Sequence, residues 1–388
     1  MGVQTLAPGN DRAWNAALGA DRAGHGRLIL VPYGAAGTFE PAIERTPGLI
    51  ADPHDAIVVQ DLGKPIPAKI VARAGSGPSE APFRVGPVTP AWSRAGFVAG
   101  VGRVLDLIRA GDAYQVNLSH RLRAPFTGDA LAFAAPLLAS ARPEFGGFFC
   151  YDEAGPNPAR HAIISLSPEL FFDYDPETRI IRTKPMKGTR PIAGDPDELR
   201  GAEKDRAELN MIVDLMRNDL GRVATPGTVR VSRPRDIDAH ADSVWQATAT
   251  VEARLRDDLT PAHLLAACFP PGSVTGAPKV RAAQIIRQLE PHPRGPYCGS
   301  LIRVHPDGRL TASVLIRTAH IVGAPDPADP HAFLDAELRY HAGAGIVADS
   351  DPDAEWNETM TKAGVLLDAL DQPPVGAGSD AHPEPCSG

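Results

Sequence analysis

Two pairs of acidic residues come first among the candidates for chemistry, because each pair lies in a segment whose apolar spacing predicts a helix. Glu355 and Glu358 are three residues apart, which places both carboxylates on one flank of a helix. Asp205 and Glu208 have the same spacing. Mg²⁺ takes hard oxygen ligands, so the two pairs could build a magnesium site if the fold brings them together. Spacing cannot show that they meet, and either pair alone is typical of a solvated helix surface.

A cationic segment and a glycine-rich segment are two further candidates. Lys187 is one of three cations in TKPMKGTRP. Buried beside a ligand and neutral, its amine could act as a nucleophile, whereas a surface lysine is ordinarily solvated. The run FPPGSVTGAPK lacks the spacing of a nucleotide phosphate loop, because only three residues separate Gly272 from Gly276. A glycine-rich turn before a helix, with Lys279 beside it, can still bind a carboxylate; the alternative is an ordinary loop.

Composition excludes several classes of protein. The 388 residues carry 39 Lys and Arg against 47 Asp and Glu, a net charge of −8, which argues against nucleic-acid binding. No apolar stretch approaches the roughly 18 residues that span a bilayer, and the N-terminus lacks the order of a signal peptide. Four cysteines lie far apart without a CxxC pair, which indicates reduced thiols and a cytoplasmic protein. The sequence contains no GxSxG motif, so a serine hydrolase is not indicated.

Apolar periodicity predicts strands and helices mixed through one α+β body. Helices are predicted at 93–110, about 201–220, about 278–289 and from Asp351, where Asp351 can cap and Pro352 fits the first helical position. Strands are predicted at 27–33, 56–62, 67–73, 115–122, 145–151, 162–166, 170–174, 180–183, 310–322 and 338–348. We expect a strand-rich N-terminal part at 1–92, a main region at 93–371 and a disordered tail at 372–388.

Eight segments together resemble the chorismate-utilising enzymes, a family that includes anthranilate, aminodeoxychorismate, isochorismate and salicylate synthases. The segments follow the family's order and cover about residues 93–370. They are IRAGDAYQVNLSHRL, SLSPELFF, TKPMKGTRP, DRAELNMIVDLMRNDLGRV, FPPGSVTGAPKVRAAQIIRQLE, RGPYCGS, IRT and AGAGIVADSDPDAEWNET. The resemblance implies two packed, roughly orthogonal antiparallel β-sheets flanked by helices, with chorismate and Mg²⁺ in a cleft between them.

The resemblance also implies roles for the acidic residues. Glu208 and Glu358 fall at the family's direct magnesium-ligand positions, and Glu355 at a supporting position. Asp205 stands where many members have glutamate, so the shorter acid would act through water. The cation would bind the ring carboxylate of chorismate.

Substrate contacts follow from the same resemblance. Tyr297 and Arg317 match positions that hold the enolpyruvyl carboxylate, and Gln246 stands where many members have histidine. An amide can hydrogen-bond but cannot shuttle a proton at neutral pH. The other matched contact positions are Thr189, Ser273, Gly276, Ala277, Lys279 and Gly345.

Three further positions indicate which family reaction to expect. Water-using members resemble one another in a lysine base where this chain has Gln115, so ammonia is the expected nucleophile. Lys187 matches the lysine of aminodeoxychorismate synthases that is implicated in attack on ring C2. Glu169 matches the general acid that protonates the departing C4 hydroxyl. The resemblance is therefore closest to the component I branch that forms 4-amino-4-deoxychorismate for folate biosynthesis.

Ammonia is expected from a separate glutamine amidotransferase subunit, since the matched segments occupy the chain. Two related reactions remain open: formation of anthranilate, and formation of 2-amino-2-deoxyisochorismate. A catalytically inactive paralogue is the alternative from another class. The presence of Glu169, Glu208 and Glu358 argues against it.

Overall fold

Antiparallel strands make up most of the structure, a computed structural model in which residues 3–6, 11–19, 26–39, 57–63, 82–153, 158–240 and 244–370 are described. The described strands are numbered in chain order. They are β1 Val3–Leu6, β2 Gly26–Val31, β3 Ile57–Gly63, β4 Phe83–Val85, β5 Thr89–Pro90, β6 Gln115–Asp129, β7 Gly147–Asp152, β8 Arg160–Ser165, β9 Leu170–Tyr174, β10 Ile180–Lys184, β11 Met186–Pro191, β12 Arg230–His240, β13 Val244–Arg254, β14 Gly276–Ala277, β15 Ser300–Val304, β16 Leu310–Ser313, β17 Thr318–Pro325 and β18 Ala332–Ile346.

Side-chain caps mark the start of several α-helices in the same part of the chain. The α-helices are α1 Asp11–Leu18, α2 Ala36–Phe39, α3 Arg94–Arg109, α4 Ala130–Ala141, α5 Pro196–Gly201, α6 Glu203–Gly221, α7 Pro261–Cys268, α8 Lys279–Leu289 and α9 Pro352–Ala369. Ser93 caps α3, because its hydroxyl accepts from Gly96 N at 3.1 Å. Asp351 caps α9 by accepting from two backbone N–H groups of the first turn. None of these described helices has the length and apolar character needed to cross a membrane.

The strands form two antiparallel sheets. The first has ten strands in the order β1-β3-β2-β15-β16-β9-β10-β13-β11, with β12 also paired to β13. The second has eight, in the order β14-β6-β18-β17-β8-β7, with β4 and β5 also paired to β6. This arrangement confirms the predicted α+β class with two antiparallel sheets.

Apolar side chains join the sheets to each other and to the helices. Helices α6 and α7 pack on the first sheet, and α4 and α9 on the second. A small cluster contains Leu30 of β2 and Phe149 of β7, so the two sheets are in contact. Helices α3 and α8 pack against β6 and β18, where Val116 and Leu118 belong to the same apolar cluster as Ala344 and Ile346.

The structure confirms most of the strongly periodic predictions and corrects one. The predicted helices at 93–110, 278–289 and from Asp351 correspond to α3, α8 and α9. The predicted single strand 310–322 is wrong, because β16 and β17 belong to different sheets. Arg317 lies between them with φ of 49°, in the left-handed region, where the chain changes direction. The predicted strand 67–73 and the predicted tail 372–388 lie outside the described residues.

Sequence periodicity missed helix α4. Its sequence ALAFAAPLLASA is apolar almost throughout, so it shows no polar face. Helix α6 corresponds to the prediction at 201–220, while the short α5 before it was not predicted.

A buried ion pair joins the segment that follows α8 to strand β6 of the second sheet. The guanidinium of Arg294 donates to both carboxylate oxygens of Glu290, at 2.7 and 2.9 Å, and the side chains are 2% and 5% exposed. Arg294 also donates to the carbonyl oxygens of Val274 and Asn117. Glu290 in turn accepts from the backbone N–H and hydroxyl of Ser119. The pair therefore ties the end of α8 and the turn at 272–274 to strand β6.

Glu290→Gln is expected to lower the free energy of unfolding by about 3–5 kcal/mol, because it leaves the buried guanidinium without a counter-charge. Asp307→Asn is the matched control: it breaks the exposed Arg309–Asp307 pair and should cost less than about 1 kcal/mol. Urea unfolding of the two variants measures both values. Equal, small losses would contradict a structural role for the buried pair.

Candidate functional site

Lys187 and Glu208 form an ion pair at the point where four elements meet. Lys187 Nζ of β11 lies 3.2 Å from Glu208 Oε2 of α6, and each side chain is about one-fifth exposed. A Cβ added at Gly345 of β18 would lie 3.2 Å from Lys187 Nζ and 2.9 Å from Gln115 Nε2 of β6. These contacts bring together residues predicted from four distant segments. We call these four residues, Lys187, Glu208, Gln115 and Gly345, together with Glu169 and Ser273, the central cluster.

Glu169 supplies an acid to the central cluster. The residue is 4% exposed and directly precedes β9, where its backbone N–H donates to Ser167 Oγ at 3.2 Å. Burial raises the pKa of Glu169 to about 7, although a hydrogen bond with Ser273 and the positive charge of Lys187 act in the opposite direction. A carboxyl group with this pKa holds a proton near neutral pH and can donate it.

Gln115 is buried without satisfying its side-chain amide. It is 1% exposed, and among the described residues neither Nε2 nor Oε1 has a hydrogen-bond partner. Its backbone is fixed by β14, where Ala277 pairs with Gln115. Gly276 has φ of 137°, and a Cβ there would lie 2.2 Å from the Gln115 carbonyl oxygen, so this approach requires glycine. The backbone of Gln115 is therefore fixed, while the hydrogen-bonding capacity of its side-chain amide is unused.

The Gly188-Thr189 pair after Lys187 forms a bulge within β11. The register with β13 shifts between Lys187 and Thr189, and Gly188 has φ of 79°. A Cβ at Gly188 would lie 2.8 Å from the carboxyl carbon of Asp205. Asp205 also accepts from Arg190 at 3.2 Å, so in this structure it fastens β11 to α6.

The acids of α9 lie beside the neighbouring part of β18. Glu358 Oε1 is 2.6 Å from Lys362 Nζ, which also donates to the Gly343 carbonyl oxygen at 2.9 Å. Glu355 is 7% exposed and accepts from Ser350 Oγ at 2.6 Å. Sequence reasoning missed Lys362, although its four-residue spacing from Glu358 is the usual signal for a helical ion pair.

The predicted magnesium ligands fit a cation by chemistry. They are carboxylates, and lysine ammonium groups lie against Glu208 and Glu358 at 3.2 and 2.6 Å, standing in for a cation. Within the described ranges no three acidic, histidine or cysteine side chains surround one point. A magnesium ion would therefore have to displace one or both lysines from their glutamates.

Tyr297, predicted to contact substrate, lies beside the central cluster. A Cβ added at Gly343 would lie 2.8 Å from its hydroxyl, and its ring stacks on His341 with centroids 5.0 Å apart. Arg317 lies close enough to Tyr340 for its charge to oppose the rise of that pKa. No described contact joins Arg317 to Tyr297.

The remaining predicted contacts are held by other partners. Lys279 Nζ is 2.5 Å from Asp219 Oδ2, and both side chains are almost buried. The ammonium therefore stabilises the packing of α8 on α6 in this structure. Thr189 is exposed and pairs in register with Gln246, which is 2% exposed. The described contacts connect neither residue's side chain to the central cluster.

The pKa of Glu169 generates a pH-dependent prediction. A carboxyl whose folded-state pKa is raised stabilises the fold while protonated, and this contribution is lost as pH rises through about 7. Glu169→Gln stays neutral, so its melting temperature relative to the unchanged protein should rise between pH 5 and pH 8. Glu144→Gln, at an exposed site, is the control and should show no such trend. A pH-independent difference for Glu169→Gln would contradict the buried neutral acid.

Comparison with known proteins identifies the family. Residues 57–368 match the family model described as chorismate binding enzyme. Aminodeoxychorismate synthase component 1 of Salmonella typhimurium is 39% identical over 305 residues, covering 76% of this chain and 62% of the relative. Anthranilate synthase component 1 of Thermus thermophilus is 38% identical over 294 residues, covering 74% and 58%. The chain thus spans about three fifths of the length of these curated relatives.

A solved structure supports the fold independently. Anthranilate synthase component I from Streptococcus pneumoniae superposes with a TM-score of 0.68 at 24% identity, over 94% of this chain and 91% of that chain. The family model spans all the segments that meet in the central cluster, from β6 to β18. This match over most of the chain shows that the protein belongs to the chorismate binding enzyme family.

Proposed function

We propose that this chain catalyses the amination of chorismate at C4, forming 4-amino-4-deoxychorismate and water, in the route to para-aminobenzoate and folate. One observation carries the proposal: the Lys187 amine lies inside the central cluster, 3.2 Å from Glu208 and beside Gln115 and Gly345. A lysine held this way is placed to act as a nucleophile toward a bound ring. The curated relatives named aminodeoxychorismate synthase component 1 support the same reaction.

The residues of the central cluster can carry the steps in balance. Lys187, as the neutral amine, forms a bond to ring C2, the two conjugated ring double bonds shift, and the C4–O bond breaks. Glu169 gives its proton to the departing hydroxyl, which leaves as water. Ammonia then bonds to C4, both double bonds shift back and Lys187 leaves C2. The excess proton on the new C4 amine returns to Glu169.

Gln115 supports ammonia as the nucleophile. An amide cannot deprotonate water at neutral pH, but its oxygen can accept a hydrogen bond from ammonia. Both atoms of this amide lack partners among the described residues. We propose that ammonia comes from a separate glutamine amidotransferase subunit, in keeping with the "component 1" names of the relatives.

Magnesium is part of the proposal. Glu208 and Glu358 would hold the ion, with Glu355 and Asp205 in support, since three of these carboxylates already lie against cationic groups. The ion supplies positive charge for a substrate carboxylate. Its binding would also separate Lys187 from Glu208.

Formation of anthranilate is the second candidate. Relatives named anthranilate synthase component 1 match this chain at 38% and 39% identity, as closely as the aminodeoxychorismate synthases. Lys187 and the buried Gln246 favour the C4 amine. By the resemblance, Lys187 matches the lysine of aminodeoxychorismate synthases, and Gln246 stands where many family members have histidine.

Product identity tests the two candidates. Purified protein is incubated with chorismate, Mg²⁺ and an ammonium salt, with and without EDTA, and the products are analysed by mass spectrometry and fluorescence. We expect a Mg²⁺-dependent, non-fluorescent amine that an added aminodeoxychorismate lyase converts to 4-aminobenzoate. Fluorescent anthranilate would establish the second candidate instead.

Lys187→Met should reduce formation of the C4 amine by about 100-fold or more, as expected for loss of a nucleophile. Lys184→Met is the matched control, because Lys184 is ion-paired with Asp238 outside the central cluster. Rates from the same product assay are compared. Unchanged amination by Lys187→Met would rule out the covalent role.

Gly345→Ala should impair turnover more than stability. The added methyl group would crowd Gln115 Nε2 and Lys187 Nζ, which are ends of side chains that can move, so the cluster is displaced while the strand pairing remains. Gly102→Ala is the control: a Cβ there meets no atom within 4 Å in α3, and the change should stabilise the helix by up to about 1 kcal/mol. Steady-state kinetics and thermal unfolding separate the effects. Full activity in Gly345→Ala would contradict the close approach of substrate to this strand.

A further inference from the structure

Strand β6 presents a row of polar side chains on the face that carries the central cluster. Gln115, Asn117 and Ser119 alternate with Val116 and Leu118, which belong to the apolar core on the other face. In the register with β18, Asn117 lies opposite Gly345 and Ser119 opposite Gly343. Asn117 therefore lies between Gln115 and Ser119, and the Ser119 end of the row is the end near Tyr297.

Asn117 is held rigidly but leaves a donor unused. Its backbone N–H donates to the Thr275 carbonyl oxygen at 2.9 Å, and its own carbonyl oxygen accepts from Arg294 at 2.6 Å. The residue is 8% exposed, yet among the described residues its side-chain Nδ2 has no hydrogen-bond partner. A buried polar group without a partner costs about 1–3 kcal/mol and is uncommon in folded proteins.

Ser119, the next residue on this face, shows the contrast. Its hydroxyl donates to Glu290 Oε1 at 2.9 Å, and its backbone N–H donates to the same oxygen. The fold thus satisfies Ser119 internally and leaves Gln115 and Asn117 unsatisfied. The unsatisfied residues are the two nearest Lys187.

Resting on the proposed function, we propose that the Asn117 side-chain NH₂ group binds a carboxylate oxygen of the substrate. An amide NH₂ is a donor only, so its missing partner must be an acceptor. A hydrogen bond to an ionised acceptor is about twice as strong as one between neutral groups, and chorismate carries two carboxylates. Gly345, which faces Asn117 in the register, contributes no side chain of its own beside Asn117, and the ends of the Lys187 and Gln115 side chains lie next to this position.

The spacing along β6 separates two tasks. Residues two apart on a strand are about 7 Å apart, comparable to the length of a substituted six-membered ring. Gln115 lies next to the Lys187 amine, where the new C–N bond forms. Asn117 holds the ligand's acidic group at the other end and fixes the ring relative to Lys187.

Asn117→Leu tests the inference, because leucine has a similar shape and lacks the donor. Chorismate binding is measured by calorimetry without ammonia, so that no amination occurs, together with the melting temperature of the ligand-free protein. We expect the Kd of Asn117→Leu to rise about tenfold or more. Its melting temperature should be unchanged or higher, since no hydrogen bond is lost. Asn117→Asp, which puts a negative charge against the carboxylate, should bind still more weakly.

Ser119→Ala is the matched control and should show the reverse pattern: a lower melting temperature and an unchanged Kd. If Asn117→Leu lowers the melting temperature and leaves the Kd unchanged, Asn117 is structural and the inference is wrong. Asn117→Ser, which keeps a donor, replaces Asn117→Leu if the latter does not fold, and should weaken binding less than Asn117→Asp. Absence of chorismate binding by the unchanged protein would also overturn the inference. Binding without C4 amination would contradict the proposed function alone.

Discussion

The buried pair between Arg294 and Glu290 is the interaction on which the rest of the site depends. Both side chains are almost fully buried, so each charge is stable there only because the other compensates it. The remaining donors of Arg294 bind carbonyl oxygens of β6 and of the turn at 272–274. The pair therefore sets the position of the strand that carries Gln115 and Asn117 relative to the segment that carries Ser273. Arg294 also stacks on Tyr33, 4.6 Å from the ring centroid, which ties the N-terminal part to the same point.

Opposite charges hold the two ends of the site in place. Lys187 and Glu208 pair beside Gly345 of β18, and Lys362 and Glu358 pair beside Gly343 of the same strand. Each pair positions a carboxylate without a permanent metal, because an ammonium group partly offsets its charge. Since both carboxylates are the proposed magnesium ligands, lysine and metal would compete for them. Metal binding would thus be coupled to the freedom of the Lys187 amine.

The site is built at a cost to the stability of the ligand-free fold. Glu169 is buried where its ionised form is disfavoured, and the amides of Gln115 and Asn117 lack partners in the described structure. Such groups lower stability unless a ligand satisfies them, and rigid placement reduces the reorganisation needed when the ligand binds. The position of the two unsatisfied amides on one face of β6, with the neighbouring Ser119 fully bonded, separates the part of β6 built for binding from the part built for folding.

The sequence by itself determined the helices with regular apolar spacing, the capped start of α9 and the α+β class, because these follow from contacts between residues near one another in the chain. The family segments also singled out Lys187, Glu169 and Glu208. Only the tertiary structure decided that β16 and β17 lie in different sheets, that Lys279 pairs with Asp219, and that Lys362 contacts Gly343. It alone showed that Asn117 is unsatisfied while Ser119 is not. These outcomes depend on which distant residues face each other across a strand register, and local spacing does not contain that information.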